Sequence, residues 1–325
     1  MSVTWGGFIG VVSGMNEKGL TVTINAAKSS IPSGSATPVS LVAREILQYA
    51  KNIREAIRIA EKRTMFVSES FLVGSAEDHK AVIIEKTPDS LEVYDPGKNF
   101  IVCANHFQSQ GLGKSKPNEE QIRESASPYR YERLMELLQA NGKNTVQKTI
   151  AILRDRKGWH NADIGVGNEK AINQFIAHHS IVFEPQKLLV WVSTQPWQMG
   201  EYVAYDLKKI FALQGLHENR ELYDSSLMVP ADTFLTTAPF HEFEKYRKLK
   251  QQLADGETVS PDSLVASNPQ FYQAWVLAGD HLFKQKEYKK AIPYYETALT
   301  KVIATKPEEN HIRKQLKKCK EKIAG

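Results

Sequence analysis

The sequence has few cysteines and no long apolar run. Two cysteines, Cys103 and Cys319, are too few and too far apart for a disulfide scaffold or a four-thiolate zinc site. No apolar stretch approaches the ~20 residues that cross a bilayer, so no membrane span is predicted. No Lys or Arg precedes Lys18, so a secretory signal is not expected. The compartment stays open, since the chain as given is typical of a cytoplasmic protein and a preceding segment could carry an export signal.

The composition also excludes several classes of protein. The 325 residues are 42% hydrophobic and 24% charged, which is ordinary for a globular protein. An intrinsically disordered chain, a collagen-like chain and a coiled-coil rod are therefore excluded. The length favours two domains, because domains typically have ~100–200 residues.

The net charge of +5 comes entirely from the C-terminal segment His311–Gly325. Its charged residues are Arg313, Lys314, Lys317, Lys318, Lys320, Glu321 and Lys322. Apolar residues between them recur at helical spacing, so the lysines are expected on the solvated face of a helix. No aromatic side chain accompanies the lysines to stack on bases, so a nucleic-acid partner is not expected.

Up to about residue 245 the chain mixes strand-like and helical stretches. Apolar and β-branched runs predict strands at Val11–Val12, Leu20–Ala26, Phe71–Gly74, Lys80–Glu85, Ser90–Tyr94, Phe100–Ala104, His179–Glu184 and Lys187–Ser193. Apolar periodicity predicts helices at Pro38–Ala50, Asn52–Glu61, Glu119–Gln139 and Thr145–Asp155. A Ser/Pro/Gly loop is expected over Ser29–Thr37. The mixture predicts an α+β domain over residues 1–245 with an antiparallel-rich sheet.

Residues 246–325 are predicted to form a second, all-helical domain. Four of its residues fall at the positions of one tetratricopeptide-like repeat: Trp275, Gly279, Ala291 and Ala298. The last three are small, as the close packing of the two helices of such a repeat requires. Because about three repeats are usually needed to stand alone, we expect this segment to pack on the main domain or on a protein partner, through residues 262–325.

Three stretches contain polar residues that could carry chemistry. The first is the turn Gly14–Leu20 and the strand after it, which contains Asn25. The second contains Asn105, directly after Ala104, and the third contains Arg130, three residues after Ser127. Taken singly, Asn25 could end a strand, Asn105 could cap a turn and Arg130 could lie on a helix surface. Their combination, order and spacing favour a functional interpretation.

This combination resembles the N-terminal-nucleophile hydrolases of the choloylglycine hydrolase and acyl-CoA:6-aminopenicillanic acid acyltransferase group. The most specific part is Gly-Met-Asn-Glu-Lys-Gly-Leu followed by a strand that ends in Asn. The Asn-His-Phe segment at Asn105 and the Ser-x-x-Arg segment at Arg130 match the acyltransferase branch, and the resemblance covers roughly residues 5–210. It implies a four-layer αββα N-terminal-nucleophile hydrolase fold, with the opening strands missing from this chain.

The resemblance also implies roles for the three polar residues. An N-terminal Cys of this family attacks an amide or thioester carbonyl, with its own α-amine as the base. Asn25 would donate to the oxyanion of the tetrahedral intermediate. Asn105 would line the site and help to orient the acyl-enzyme, and Arg130 would supply positive charge that favours the thiolate. The implied substrate is a small-molecule amide or acyl thioester, and no organic cofactor or metal is implied.

The sequence departs from the family at the nucleophile. The family's Cys lies tens of residues before the Gly-Met-Asn-Glu turn, whereas only ten residues precede Val11 and its strand. Neither cysteine of the chain can replace it by position. Cys103 shares a predicted strand face with Asn105, but a structural thiol is the simpler interpretation. Ser2 would be N-terminal if Met1 were removed, but it lies on the wrong strand.

Two hypotheses of different classes follow. In the first, the chain is an amidohydrolase or acyltransferase of the cysteine N-terminal-nucleophile type, acting on C–N bonds of linear amides or on acyl conjugates. The chain by itself is then expected to be inactive, because it lacks the nucleophile. In the second, it is a non-catalytic remnant or one subunit of a split enzyme, and works by binding through its helical tail. The missing strands are expected to expose a sheet edge that pairs with a partner strand.

Overall fold

A computed structural model describes residues 1–28, 34–213, 215 and 221–324. Residues 29–33 of the predicted loop Ser29–Thr37 lie outside the described residues. Within the described ranges the strands form one six-stranded and one three-stranded sheet, both antiparallel. The predicted mixture of helix and antiparallel sheet is therefore confirmed.

The larger sheet pairs six strands in the order in which they occur in the chain. They are β1 (Ser2–Val3), β2 (Ser13–Met15), β3 (Leu20–Ala26), β4 (Glu69–Ser75), β5 (Lys80–Lys86) and β6 (Leu91–Tyr94). The strand predicted at Val11–Val12 begins two residues later, at Ser13. The sheet edge expected to be open is formed by β1, and an edge strand this short offers little backbone for pairing with another chain.

Two helices, α1 (Val39–Tyr49) and α2 (Ile53–Lys62), cover one face of this sheet. Helix α2 starts where predicted because the Asn52 side chain accepts a hydrogen bond from Glu55 N (3.1 Å) and caps the helix. Alternate strand residues pack against the buried faces of the helices in one apolar cluster, which includes Leu20, Val22, Val42, Ile46, Ala56, Ala60, Phe71 and Val73. The other strand residues, Asn25 among them, point to the opposite face.

The helical stretch predicted over Glu119–Gln139 is two helices, α3 (Lys116–Glu124) and α4 (Ser127–Ala140). Ser125 is extended (φ −105°, ψ 170°) and ends α3. Pro128 lies in the first turn of α4, where its missing N–H breaks no helical hydrogen bond. A third helix, α5 (Val146–Leu153), begins at the N-cap Thr145, as predicted.

The smaller sheet contains β7 (Ile181–Glu184), β8 (Leu189–Ser193) and β9 (Tyr202–Asp206), followed by the short helix α6 (Leu207–Phe211). The predicted late hairpin corresponds to β7 and β8. One face, which includes Trp191, packs on Ile150 of α5. The opposite face, which includes Val190, packs on Met15 of β2. The two sheets are therefore in contact through apolar side chains.

The C-terminal segment contains only helices in its described part. They are α7 (Ala238–Ala254), α8 (Pro261–Ser267), α9 (Tyr272–Lys284), α10 (Tyr288–Ala298) and α11 (Lys306–Ala324). One apolar cluster joins these helices to Phe175, Met199 and Phe234 of the preceding chain. The domain boundary expected between residues 245 and 246 lies inside α7. None of the helices in the described ranges is both long and apolar enough to cross a bilayer.

Candidate active site

Asn25 lies near the end of β3, on the face of the large sheet that turns away from α1 and α2. Its cross-strand neighbour is Ser70, which in turn pairs with Glu85. Ser70 and Glu85 are almost completely buried, whereas Asn25 is half-buried at the end of the row. Among the hydrogen bonds of the described residues, none involves the Asn25 side-chain amide. Its N–H donors are therefore available to a ligand at the edge of this face.

Asn105 is anchored beside the end of β3. Its Nδ2 donates to the carbonyl oxygen of Ala26 (3.1 Å), the residue directly after Asn25. Its backbone N–H donates to Ser127 Oγ (2.7 Å), and its carbonyl oxygen accepts from Gln121 Nε2 (3.3 Å). The 100–105 segment thus contacts both β3 and the start of α4.

Arg130 completes the group. Its Nη2 donates to Asn105 Oδ1 (2.7 Å), and its Nη1 donates to the carbonyl oxygen of Glu169 (2.7 Å). Burial lowers the pKa of the guanidinium, and the carboxylate of Glu169 opposes that shift. The structure therefore joins residues from three distant stretches of sequence in one hydrogen-bonded chain, from Arg130 through Asn105 to the backbone beside Asn25.

His106 and Ser127 form further hydrogen bonds next to this hydrogen-bonded group. His106 Nδ1 lies 2.8 Å from Ser127 Oγ, the same oxygen that accepts from Asn105 N. The His106 ring packs edge-on against Tyr131, with 5.5 Å between the ring centroids. Burial, followed by the nearby charge of Arg130, lowers the pKa of His106. The imidazole is therefore neutral at neutral pH, and the guanidinium is the cation of the group.

Cys103 does not lie on a strand, contrary to the sequence expectation for Phe100–Ala104. The backbone of this segment bonds to side chains instead, for example Val102 O with Gln108 Nε2 (2.8 Å). Strand alternation therefore gives no relation between Cys103 and Asn105. Burial, together with the carboxylates of Glu85 and Glu69, raises the pKa of the Cys103 thiol to about 12. A thiol that stays protonated is a poor nucleophile.

Ser2, the other candidate nucleophile, also lies in an unsuitable position. It lies exposed on β1 and pairs with Gly14, two strands away from Asn25 in the sheet order. Ser2 is therefore not brought to the Asn25–Asn105–Arg130 group. Cys103 lies two positions before Asn105, but among the described residues its thiol hydrogen-bonds only to Ala104 O (3.8 Å) and to none of the three side chains.

Sequence reasoning missed two acids next to this region, Glu85, which is fully buried, and Glu69, which is partly buried. Glu85 is fully buried and accepts hydrogen bonds from Gln108 N (2.5 Å) and from Ser109 N (3.0 Å). Burial raises the pKa of Glu69 to about 7, and no described residue pairs with its Oε2. Glu85 lies in the strand predicted at Lys80–Glu85, whereas Glu69 lies two residues before the strand predicted at Phe71–Gly74. Nothing in an alternating pattern marks a carboxyl that will be buried. The described residues contain no group of three or more His, Cys, Asp or Glu side chains that could hold a metal ion.

The sequence also matches a known family. The sequence model of acyl-coenzyme A:6-aminopenicillanic acid acyl-transferase matches residues 3–195. The chain belongs to this family. The matched range contains Asn25, Asn105 and Arg130 and ends before the C-terminal helices, which lie outside the acyl-transferase family match. A search of curated proteins finds no significant match.

Two similar solved structures are variants of conjugated bile acid hydrolase from Clostridium perfringens. The first is 15% identical, with a TM-score of 0.35, over 64% of this chain and 76% of the hydrolase. The second is 13% identical, with a TM-score of 0.41, over 69% of this chain and 79% of the hydrolase.

Proposed function

We propose that this chain provides the oxyanion-binding and positioning part of an N-terminal-nucleophile acyltransferase or amidohydrolase site. The observation that carries the proposal is the hydrogen-bonded chain from Arg130 through Asn105 to the Ala26 carbonyl, next to the Asn25 amide, which bonds to no residue that the structure describes. The acyl-transferase family match supports it. The helix–sheet–sheet–helix packing of α1 and α2, the two sheets and α5 agrees with the αββα arrangement that the family resemblance implies.

In this proposal Asn25 donates to the oxyanion. Attack on an acyl carbonyl places negative charge on its oxygen, and a preoriented neutral amide stabilises that charge without itself titrating. Asn25 is suited to this because it projects from β3 at a position that pairs with Ser70 of β4, so the sheet holds its backbone. Because Asn25 is half-buried, fewer water molecules can compete with the substrate for its amide.

Asn105 is a positioning residue in this proposal. Its amide oxygen accepts from Arg130 and its amide nitrogen donates to Ala26, so both ends of the amide are already engaged. It therefore fixes the end of β3, and with it the direction of Asn25. Arg130, held at both Nη atoms, places a cation beside this end of the strand and lowers the energy of a thiolate or oxyanion there.

The nucleophile in this proposal is an N-terminal cysteine that neither Cys103 nor Cys319 provides. Its thiolate forms a bond to the acyl carbon, and the amine or thiol of the substrate leaves with a proton. Water or an acceptor amine then releases the acyl group and restores the thiol. The substrate is a small-molecule amide or acyl thioester, no metal or organic cofactor takes part, and residues 1–325 alone do not turn over.

A binding function is the second candidate. The C-terminal helices lie outside the acyl-transferase family match, and α9 packs on α10 as a tetratricopeptide-like pair would, with a Cβ at Gly279 meeting the Tyr295 ring at 2.8 Å. Near the sheet edge, Trp5 and Ile9 are 55% and 68% exposed. In this alternative a protein partner binds residues 262–325 or the edge at β1.

The test compares the isolated chain with the protein produced in its native host. Each is incubated with a panel of acyl thioesters and amides, and intact mass spectrometry looks for an added acyl group and locates it. We expect an adduct on an N-terminal cysteine of the native-host protein and none on the isolated chain. Failure of the native-host protein to form any adduct would favour the binding function, and an adduct on Cys103 would contradict the proposed site.

A further inference from the structure

A cleft of about 640 Å³ lies between α7, the start of α9 and the loop of residues 165–176, here called the 165–176 loop. Small-molecule sites typically enclose ~300–1,000 Å³. None of the residues lining the cleft belongs to the Asn25–Asn105–Arg130 group, so any ligand of the cleft needs a separate explanation.

The polar lining of the cleft is basic. Three cations line it, Arg247, Lys248 and Lys250, against one acid, Glu244. The exposed Glu244 carboxylate already lies 3.3 Å from Nδ1 of His241 on the same helix. The surplus of positive charge favours an anionic ligand.

Two of the cations are held in place. The guanidinium carbon of Arg247 lies 4.8 Å from the centroid of the Trp197 ring. Lys250 Nζ donates to Gln273 Oε1 (2.9 Å), and Tyr246 Oη donates to the same oxygen (3.0 Å). Holding these side chains in advance reduces the conformational entropy that a ligand must remove on binding.

The rest of the lining is apolar. Phe243, Tyr246 and Phe271 lie at the base of the cleft and belong to one aromatic cluster. Ile176, at the wall, is 68% exposed. A single exposed isoleucine is ordinary on a surface, but this one shares a concave site with aromatic rings and cations. The lining therefore fits a ligand with one flat apolar part and one charged part.

Backbone strain in the 165–176 loop maintains this wall. Phe175 has φ 56°, a conformation that bulky residues rarely adopt, and its N–H donates to Oδ1 of the fully buried Asn173 (3.0 Å). Gly167 has φ +87°, and a Cβ there would lie 2.9 Å from the Phe243 ring. Strain of this kind persists only where surrounding contacts impose it, and it concentrates at ligand sites.

We propose that this cleft binds a small organic anion with a flat apolar body, such as an aromatic carboxylate. The carboxylate pairs with Arg247 and Lys250, and the ring lies against Ile176 and the aromatic base. This binding site goes beyond the proposed acyl-transfer function and does not depend on it.

The experiment titrates the full chain with para-fluorobenzoate and with its neutral isostere para-fluorobenzamide, followed by fluorine NMR. We expect the anion to bind roughly tenfold more tightly than the amide. The double variant Arg247→Gln, Lys250→Gln removes that preference, because it removes the two positive charges that pair with the carboxylate. The double variant Lys314→Gln, Lys318→Gln is the charge-matched control on α11 and keeps the preference.

A further variant, Ile176→Ala, separates the apolar contribution from the electrostatic one. It should weaken both probes by a similar factor and leave the fold intact, because Ile176 is exposed. Circular dichroism verifies the fold of every variant. Equal affinity for the two probes, an unchanged preference in the Arg247→Gln, Lys250→Gln variant, or no detectable binding of para-fluorobenzoate would each overturn the proposal.

Discussion

At the scale of single residues, burial sets the charge of the ionisable groups around the candidate site. It raises the pKa of Glu69 to about 7 and that of Cys103 to about 12, and it lowers the pKa of His106. Burial lowers the pKa of Arg130 as well, but a guanidinium starts from a value so high that it stays charged. A lasting cation next to neutral groups suits a site that stabilises a transient anion.

Glu69 gives a prediction about pH. Its carboxyl holds a proton up to about pH 7 in the folded chain, against an ordinary value of 4.5. Between these values the unfolded chain releases a proton that the folded chain keeps, so the free energy of unfolding falls as the pH rises through this window. Urea unfolding across the window measures this slope, and Glu69→Gln should flatten it. An equal slope in both proteins would contradict the buried-acid assignment.

Cys103 gives a prediction about reactivity. In a Cys319→Ala background Cys103 is the only thiol, and a pKa of about 12 leaves very little thiolate at neutral pH. Iodoacetamide should modify it roughly a thousandfold more slowly than free cysteine, whose pKa is ~8.5. Mass spectrometry of timed samples gives the rate. Modification as fast as that of free cysteine would restore Cys103 as a candidate nucleophile.

At the scale of secondary-structure elements, the start of α4 organises the site. Ser127 is almost completely buried, and its hydroxyl oxygen meets both Asn105 N (2.7 Å) and His106 Nδ1 (2.8 Å). Arg130, one turn along the same helix, reaches the Asn105 side chain. One helix start therefore fixes both the backbone and the side chain of Asn105.

Ser127→Ala tests this arrangement. Removing the hydroxyl leaves buried partners unsatisfied, which costs about 1–3 kcal/mol in the free energy of unfolding. The matched control is Ser115→Ala before α3, where the hydroxyl makes one bond, to Leu112 O (2.8 Å), and the loss should be smaller. Urea unfolding measures both. Equal effects of the two substitutions would show that Ser127 has no special part in the site.

At the scale of the whole molecule, the C-terminal helices are joined to the rest of the chain by polar contacts as well as by the aromatic cluster. Asn268 Nδ2 donates to Val166 O (2.8 Å), and Val166 N donates to Asn268 Oδ1 (3.2 Å). Asn168 Nδ2 donates to Val302 O (2.9 Å). These contacts favour unfolding of the whole chain as one cooperative unit.

Asn268→Ala tests this connection. Asn268 is buried, so loss of its two bonds should cost about 2 kcal/mol or more, whereas Asn144→Ala at an exposed bond should cost little. Tryptophan fluorescence and far-UV circular dichroism should give one coincident unfolding transition in the wild type. Two separate transitions in the wild type would instead indicate that the helices fold independently.

The sequence predicted most of this fold where the pattern was local. The turn before Leu20 and the helices around Ala43 and Ala56 follow from side-chain spacing and capping alone. Phe100–Ala104 was predicted as a strand because its residues are apolar, but the Gln108 side chain bonds to its backbone at Val102 O. The next residue, Asn105, donates its N–H to Ser127 Oγ, 22 positions along the chain. Pro128 could have indicated the break between α3 and α4. The prediction of one continuous helix followed the apolar periodicity instead.

The candidate site, too, was predictable from the sequence in some respects and not in others. The resemblance predicted Asn25, Asn105 and Arg130, and the structure brings them together, while their catalytic roles stay predictions. That both ends of the Asn105 amide are engaged could not be read from spacing, because one partner is a backbone carbonyl 79 positions away. The fully buried Glu85 and the partly buried Glu69 were missed for a similar reason, since burial of a charged strand residue depends on which distant parts of the chain pack over it.

The central claim is that the Asn25 amide stabilises the oxyanion of acyl transfer. The measurement that tests it most directly is kcat/KM of the native-host protein, on an acyl thioester or amide that it turns over, for the wild type and for Asn25→Ala. Loss of one such donor should lower kcat by roughly 10²–10³ with KM and unfolding midpoint little changed, while Asn144→Ala leaves kcat unchanged. Wild-type kcat in a folded Asn25→Ala variant would contradict the account.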